Sequence, residues 1–121
     1  MRFAFSVPNF GEYADVRLLA DLAHEAEVAG WDAFFLWDHI AWDDGGYFVD
    51  PWLALTAIAL RTERIGCGAM VTPLPRRRPW KVARETVTLD HLSGGRLMVG
   101  VGLGINPEEF VRLGHTSPRH A

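Results

Sequence analysis

Four short apolar runs, separated by amphipathic stretches, set the rhythm of the chain. They are RFAFSV from Arg2, DAFFLW from Asp32, RIGCGAMV from Arg64 and RLMVGV from Arg96. Their first core positions, Phe3, Ala33, Ile65 and Leu97, recur about every thirty residues, the size of a strand–helix–strand unit. Within each run the apolar residues are nearly continuous, which predicts strands covered on both faces. The intervals carry helical patterns. After Asp15, a natural N-cap, Leu18, Leu19, Leu22, Ala23 and Ala26 form one stripe, with Arg17, Asp21, His24 and Glu25 opposite and Gly30 as the stop. In DPWLALTAIALRTER, Asp50 is the cap and Pro51 the first helical residue. Pro79 opens PWKVARETVTLDHL, which ends at Ser93-Gly94-Gly95. Strands alternating with helices predict parallel pairing through right-handed crossovers, hence an α/β fold. Four such units suit either half of a (β/α)₈ barrel or a small doubly wound sheet, and spacing alone does not separate the two.

Composition narrows the picture modestly. The 121 residues are 49% hydrophobic and 22% charged, enough for a single domain over 1–121. A net charge of −3 argues against nucleic acid or an anionic membrane as partner. Cys67 is the one cysteine, so neither a disulfide framework nor a cysteine metal knuckle is expected. The first apolar run is broken by Pro8 and Gly11, and no stretch approaches the ~20 apolar residues of a membrane helix. The expected location is the cytoplasm.

In either architecture ligands bind at the carboxyl ends of the parallel strands. Those ends are Pro8-Asn9-Phe10-Gly11, Asp38-His39, Thr72-Pro73 and Gly102-Leu103-Gly104. An acid and a histidine directly after a strand make His39 the candidate proton carrier, although an Asp in that place also caps turns. The connection from Asp38 to Asp50 is long for a βα loop, and Trp42, Tyr47 and Phe48 within it are candidates for stacking on a ligand or folding back as a lid. GVGLG at 100–104 lacks the third glycine of a dinucleotide fingerprint, since Ile105 stands in its place. Arg76-Arg77-Arg78 reads as a solvated loop before a helix rather than a phosphate site, and His91 as structural. No spacing supports a metal site or a Ser-His-Asp arrangement.

With these positions in view, the sequence resembles the bacterial luciferase-like family of flavin- and deazaflavin-dependent oxidoreductases, from Met1 to about Gly114. The resemblance rests on ordered pieces: FSVPNFG, AHEAEVAGWDAFFLWDHI, DPWLALTAIALRTERIGCGAMVTPLP, TLDHLSGGRLMVGVGLG and NPEEFVRLG. It implies a (β/α)₈ barrel holding FMN or coenzyme F420 at the carboxyl face, with residues 1–121 forming a truncated N-terminal half of about four units. It further implies a cis peptide in the third strand at Gly68–Ala69, cofactor contacts from Asp38, Gly68, Ala69, Thr72, Leu103 and Gly104, and catalysis by His39 on a small organic substrate. The sugar-phosphate dehydrogenase branch carries a glutamate where Ile105 stands, which argues against that reaction. A homodimer through the second and third helices, using Trp52, Leu53, Leu55, Trp80 and Val87, follows from the same resemblance. The alternative to an oxidoreductase is a catalytically inactive half-barrel, or an assembly partner completed by a second chain.

Overall fold

The four apolar runs become four parallel strands: β1 (Ala4–Val7), β2 (Ala33–Leu36), β3 (Gly66–Pro73) and β4 (Leu97–Gly102). The computed structural model describes residues 1–41 and 46–114; Trp42 lies outside them. The strands neighbour one another in the order β1-β2-β3-β4. A doubly wound sheet reverses its strand order at a switch point, whereas a barrel winds onward one strand at a time. The unbroken order therefore resolves the alternative left by spacing, and the chain is a half-barrel.

Helices α1 (Val16–Val28), α2 (Pro51–Arg61) and α3 (Pro79–Ser93) supply the crossovers, followed by a single turn of helix, α4 (Glu108–Val111). Their starts are those the polar residues announce. The Asp15 carboxylate accepts from the Arg17 and Leu18 amides, and that of Asp50 from Trp52 and Leu53, satisfying donors that a helix leaves open. Gly94, at φ +69°, ends α3 in the left-handed conformation, and Gly95 N–H returns to the Asp90 carbonyl. Helix α1 packs on α2, and α2 on α3. Leu19, Ala23, Leu55, Ile58 and Leu89 meet Val7, Phe34, Leu36, Cys67 and Ala69 in one buried core. Trp52 and Leu55, grouped above with a dimer surface, belong to this core. Helix α2 is apolar nearly all round, so the sequence does not reveal which face turns inward. Leu53, Trp80 and Val87 remain exposed.

Strand β3 starts two residues later than its apolar run. The amides of Glu63, Arg64 and Ile65 all donate to the Glu27 carboxylate on α1 and are thereby withdrawn from pairing. A second keystone is Arg96. Its guanidinium donates to the carbonyls of Ala59, Thr62 and Ile65 and to the Thr62 hydroxyl, tying the end of α2 to the starts of β3 and β4.

Between β3 and β4 the register slips. Ala69 pairs with Val99, yet the next pair is Thr72 with Val101, so Met70 and Val71 together oppose Gly100. This is a β-bulge, one extra residue on one strand. The cis peptide lies inside it, at Met70–Val71. It is not at Gly68–Ala69, because Gly68 is spent on regular pairing with Met98: a Cβ there would overlap the Met98 carbonyl oxygen. The glycines of β4 make room for the bulge. A Cβ on Gly100 would stand 2.7 Å from the Ala69 carbonyl oxygen, and one on Gly102 2.7 Å from a Val71 methyl.

Candidate functional site

The bulge thrusts Met70 and Val71 onto an exposed face at the carboxyl end of the sheet, while the flanking Ala69 and Thr72 are buried. There a groove of about 620 Å³ opens, lined by Trp37, Asp38, His39, Met70, Val71, Pro73, Leu103, Gly104, Ile105 and Glu109. Its walls are mostly apolar. Gly104, at φ +88°, turns the chain back so that the α4 residue Phe110 seats beneath it.

His39 is held on every side that can be traced. Asn9, fully buried just beyond β1, accepts from the His39 amide at 3.1 Å and donates to the His39 carbonyl at 2.7 Å and to the Val49 carbonyl at 2.8 Å. Asn9 thus bolts both ends of the long β2–α2 connection to the first strand. Phe10 and Trp37 meet the imidazole in edge-on contacts with ring centroids 6.0 Å away, and Phe48 packs on Phe10. On the groove wall the His39 Nδ1 lies 2.9 Å from Oε1 of Glu109.

Beneath the histidine runs a buried chain of ion pairs. Arg76 reaches Glu109 Oε2 at 3.0 Å and Asp38 Oδ1 at 2.9 Å, and also donates to the Asp38 carbonyl. Arg77 takes the other carboxylate oxygen, Asp38 Oδ2, at 2.7 Å, and lies over the Trp52 ring. The side chains of Asp38 and Glu109 are 0% and 1% exposed. Burial pushes the Asp38 carboxyl above its ordinary range, against the pull of Arg77 and Arg76; burial likewise lowers Arg76, against Asp38 and Glu109. These pairs are costly to desolvate and costlier to break singly. Arg76 and Arg77 are therefore not a solvated loop; only Arg78 of the triplet is exposed.

The structure brings Asp38, His39, Leu103 and Gly104 together at the groove. Gly68, Ala69 and Thr72 are buried and do not line it. The Thr72 hydroxyl has no hydrogen-bond partner among the described residues. Tyr47 is exposed, and Trp42 lies outside the described residues.

The model of the luciferase-like monooxygenases matches residues 1–121. The chain belongs to the luciferase-like monooxygenase family. An F420-dependent glucose-6-phosphate dehydrogenase of Nakamurella multipartita is 41% identical over 105 residues, which cover 83% of this chain and 30% of that protein. A 4-hydroxyprotoasukamycin monooxygenase of Streptomyces nodosus is 36% identical over 96 residues, 78% of this chain and 25% of that one. The oxygenating constituent of 3,6-diketocamphane monooxygenase from Pseudomonas putida, solved with FMN, superposes at a TM-score of 0.84 over 100% of this chain and 34% of its own; at 22% identity this is a likeness of fold. The chain thus spans about a quarter to a third of the length of these luciferase-like relatives.

For a luciferase-like chain, the site residues that sequence reasoning missed are Asn9, Arg76, Arg77 and Glu109. Asn9 stood in a strand end already marked as unusual. Glu109 lies 70 residues from His39 and gave no local signal. Among the described residues, no helix is long and apolar enough to cross a membrane.

Proposed function

We propose that this segment supplies the first four strands of a flavin- or deazaflavin-dependent oxidoreductase, with the ring system of reduced FMN or coenzyme F420 lying in the Trp37–Val71–Leu103 groove. The observation that carries the reading is the apolar groove formed where the Met70–Val71 bulge, the Leu103–Gly104 turn and a buttressed histidine converge. A flat, largely apolar ring suits such walls, and Gly104 lets the backbone approach it without a side chain. Among the described residues that line the groove, the cofactor's anionic tail finds no comparable anchor. Arg76 and Arg77, which reach the acids lining the groove, are committed to Asp38 and Glu109.

When bound, the cofactor supplies hydride transfer or oxygen activation. This chain's residues would orient it and move protons. Met70, Val71, Leu103 and Gly104 form the wall behind the ring, and His39 exchanges a proton with a small organic substrate at the open side. The Asp38 carboxylate is enclosed by its arginines, so its support for the cofactor is through the shape of the strand end. Gly68, Ala69 and Thr72 support it from behind the wall, by fixing the bulge. The exposed Leu53, Trp80 and Val87 on α2 and α3 offer a surface for a second copy of the chain.

Steady-state turnover tests this reading. His39→Ala keeps cofactor affinity within about threefold and lowers kcat by about 10²–10⁴, the usual contribution of a general acid or base. Equal loss of binding and turnover would assign His39 to binding or folding. A second reading, that the half-barrel acts only when another segment completes it, is favoured by the open sheet edges β1 and β4 and by exposed Phe3, Phe5, Val99 and Val101. Turnover that appears only after a complementary barrel segment is added would select it.

A further inference from the structure

Glu109 receives more donors than a carboxylate needs to be satisfied. Oε1 lies 2.9 Å from His39 Nδ1 and accepts from the Ile40 amide at 2.8 Å and from the Ala41 amide at 3.4 Å, and Oε2 accepts from Arg76 Nη1 at 3.0 Å. Its side chain is 1% exposed, and Arg76 is itself fixed by Asp38. The neighbouring Phe110 is buried under the Gly104 turn, so α4 is docked and its glutamate has little freedom to withdraw. Among the described residues its other polar neighbours, two amides and a guanidinium, are all donors, a setting that suits the carboxylate form, which can only accept from the imidazole.

We propose that Glu109 is the positioning residue for His39: it holds the proton of the neutral imidazole at Nδ1, which leaves Nε2 as the basic nitrogen. The inference rests on the reading of His39 as the group that moves protons, and it deepens that reading by naming the nitrogen that does so. A neutral imidazole carries one proton on either nitrogen, and the hydrogen bond made by one decides the role of the other. Asn9 fixes the backbone of His39, whereas Glu109 fixes the ring and its tautomer. The two tasks are separable. A glutamate that merely capped the Ile40 and Ala41 amides would leave the tautomer to its surroundings.

The test is nitrogen-15 NMR of the histidine side chains in the 121-residue protein, with His39 assigned by its absence from a His39→Gln sample. At a pH where the ring is neutral, the wild-type signals show Nδ1 protonated and Nε2 bare, in an excess of about tenfold or more expected for a charge-assisted hydrogen bond. In Glu109→Gln, which keeps the side-chain volume and loses the charge, the excess falls several-fold toward a mixture. A wild-type His39 protonated mainly at Nε2, or a spectrum unchanged by Glu109→Gln, would overturn the proposal. The wild-type spectrum decides even if the variant folds poorly. The outcome is also independent of catalysis. The stated tautomer with turnover indifferent to His39 would sink the acid–base reading and leave this one standing. The opposite tautomer with turnover dependent on His39 would do the reverse.

Discussion

Replacing Gly68 by alanine separates two explanations of why a glycine stands there. If it serves the cofactor, the cost should appear in binding; if it serves the sheet, the cost should appear in stability. The structure favours the sheet. A Cβ on Gly68 would overlap the Met98 carbonyl oxygen and stand 3.0 Å from its carbon, and both atoms belong to the backbone of the paired strand. Relief requires β3 and β4 to part by about 1 Å, which takes ordinary ladder hydrogen bonds beyond their working range. Losing about two of them costs roughly 1–3 kcal/mol, and overpacking adds roughly 1–3 kcal/mol. The sum, roughly 2–6 kcal/mol, is a large share of the ~5–15 kcal/mol that holds a domain of this size together. With a urea slope of about 2 kcal/mol/M, the unfolding midpoint falls by about 1–3 M. Gly95→Ala is the control. Its φ is +83° and nothing lies within 4 Å of the added Cβ, so only the left-handed conformation is charged, about 1–2 kcal/mol. Urea unfolding followed by circular dichroism measures both variants. A Gly68→Ala midpoint no lower than that of Gly95→Ala, at equal slope, would refute the reasoning.

Other consequences follow from the buried charges. Asp38→Asn leaves Arg77 with only the 4.0 Å pair to Glu85 and Arg76 with only Glu109, and should cost about 3–5 kcal/mol in thermal or urea unfolding; a loss under about 1 kcal/mol would show that the arginines relax into water. Glu27 is the group to watch in acid. Burial raises its pKa, but hydrogen bonds from the Ile65, Arg64 and Glu63 amides outweigh that and hold it below its ordinary 4.5. Its contribution is therefore fully present above that value and is lost as pH falls through the lower, folded-state pKa. Asp38, shifted upward by burial, acts with the opposite sign. The advantage of the wild type over Glu27→Gln should thus narrow as pH drops from about 6 to about 3; a gap independent of pH would show that the Glu27 charge contributes nothing.

Most of the architecture was legible because it is written locally. The four apolar runs, the Asp15 and Asp50 caps, Pro51 and Pro79 at helix starts and the glycine stops each act within a few residues, and each stands where its chemistry requires. The bulge was not legible at its true place, because it exists only in the register of β3 against β4. Gly68 looked like the permissive residue for a cis bond, yet its role belongs to Met98 on the next strand. Arg76 and Arg77 looked solvated for a related reason: consecutive cations show no partner until β2 and α4 deliver Asp38 and Glu109. Trp52 and Leu55 lost their assignment to a surface because α2 offers apolar residues in every direction. At the candidate site, the place of His39 at the groove was legible from its position after a strand, while Asn9 and Glu109 reach it across 30 and 70 residues.

The central claim is that the groove at the carboxyl ends of these strands receives the cofactor ring. Titrating the nitrogen-15-labelled chain with FMN and with F420, and following the backbone amide resonances, tests it most directly. The claim predicts saturable shifts concentrated at Met70, Val71, Leu103, Gly104 and Ile105, with affinity of about 0.1 mM or tighter, about −5.5 kcal/mol, for at least one of the two cofactors. No saturable shift with either, or shifts confined to the α2–α3 surface around Leu53, Lys81 and Leu92, would contradict it.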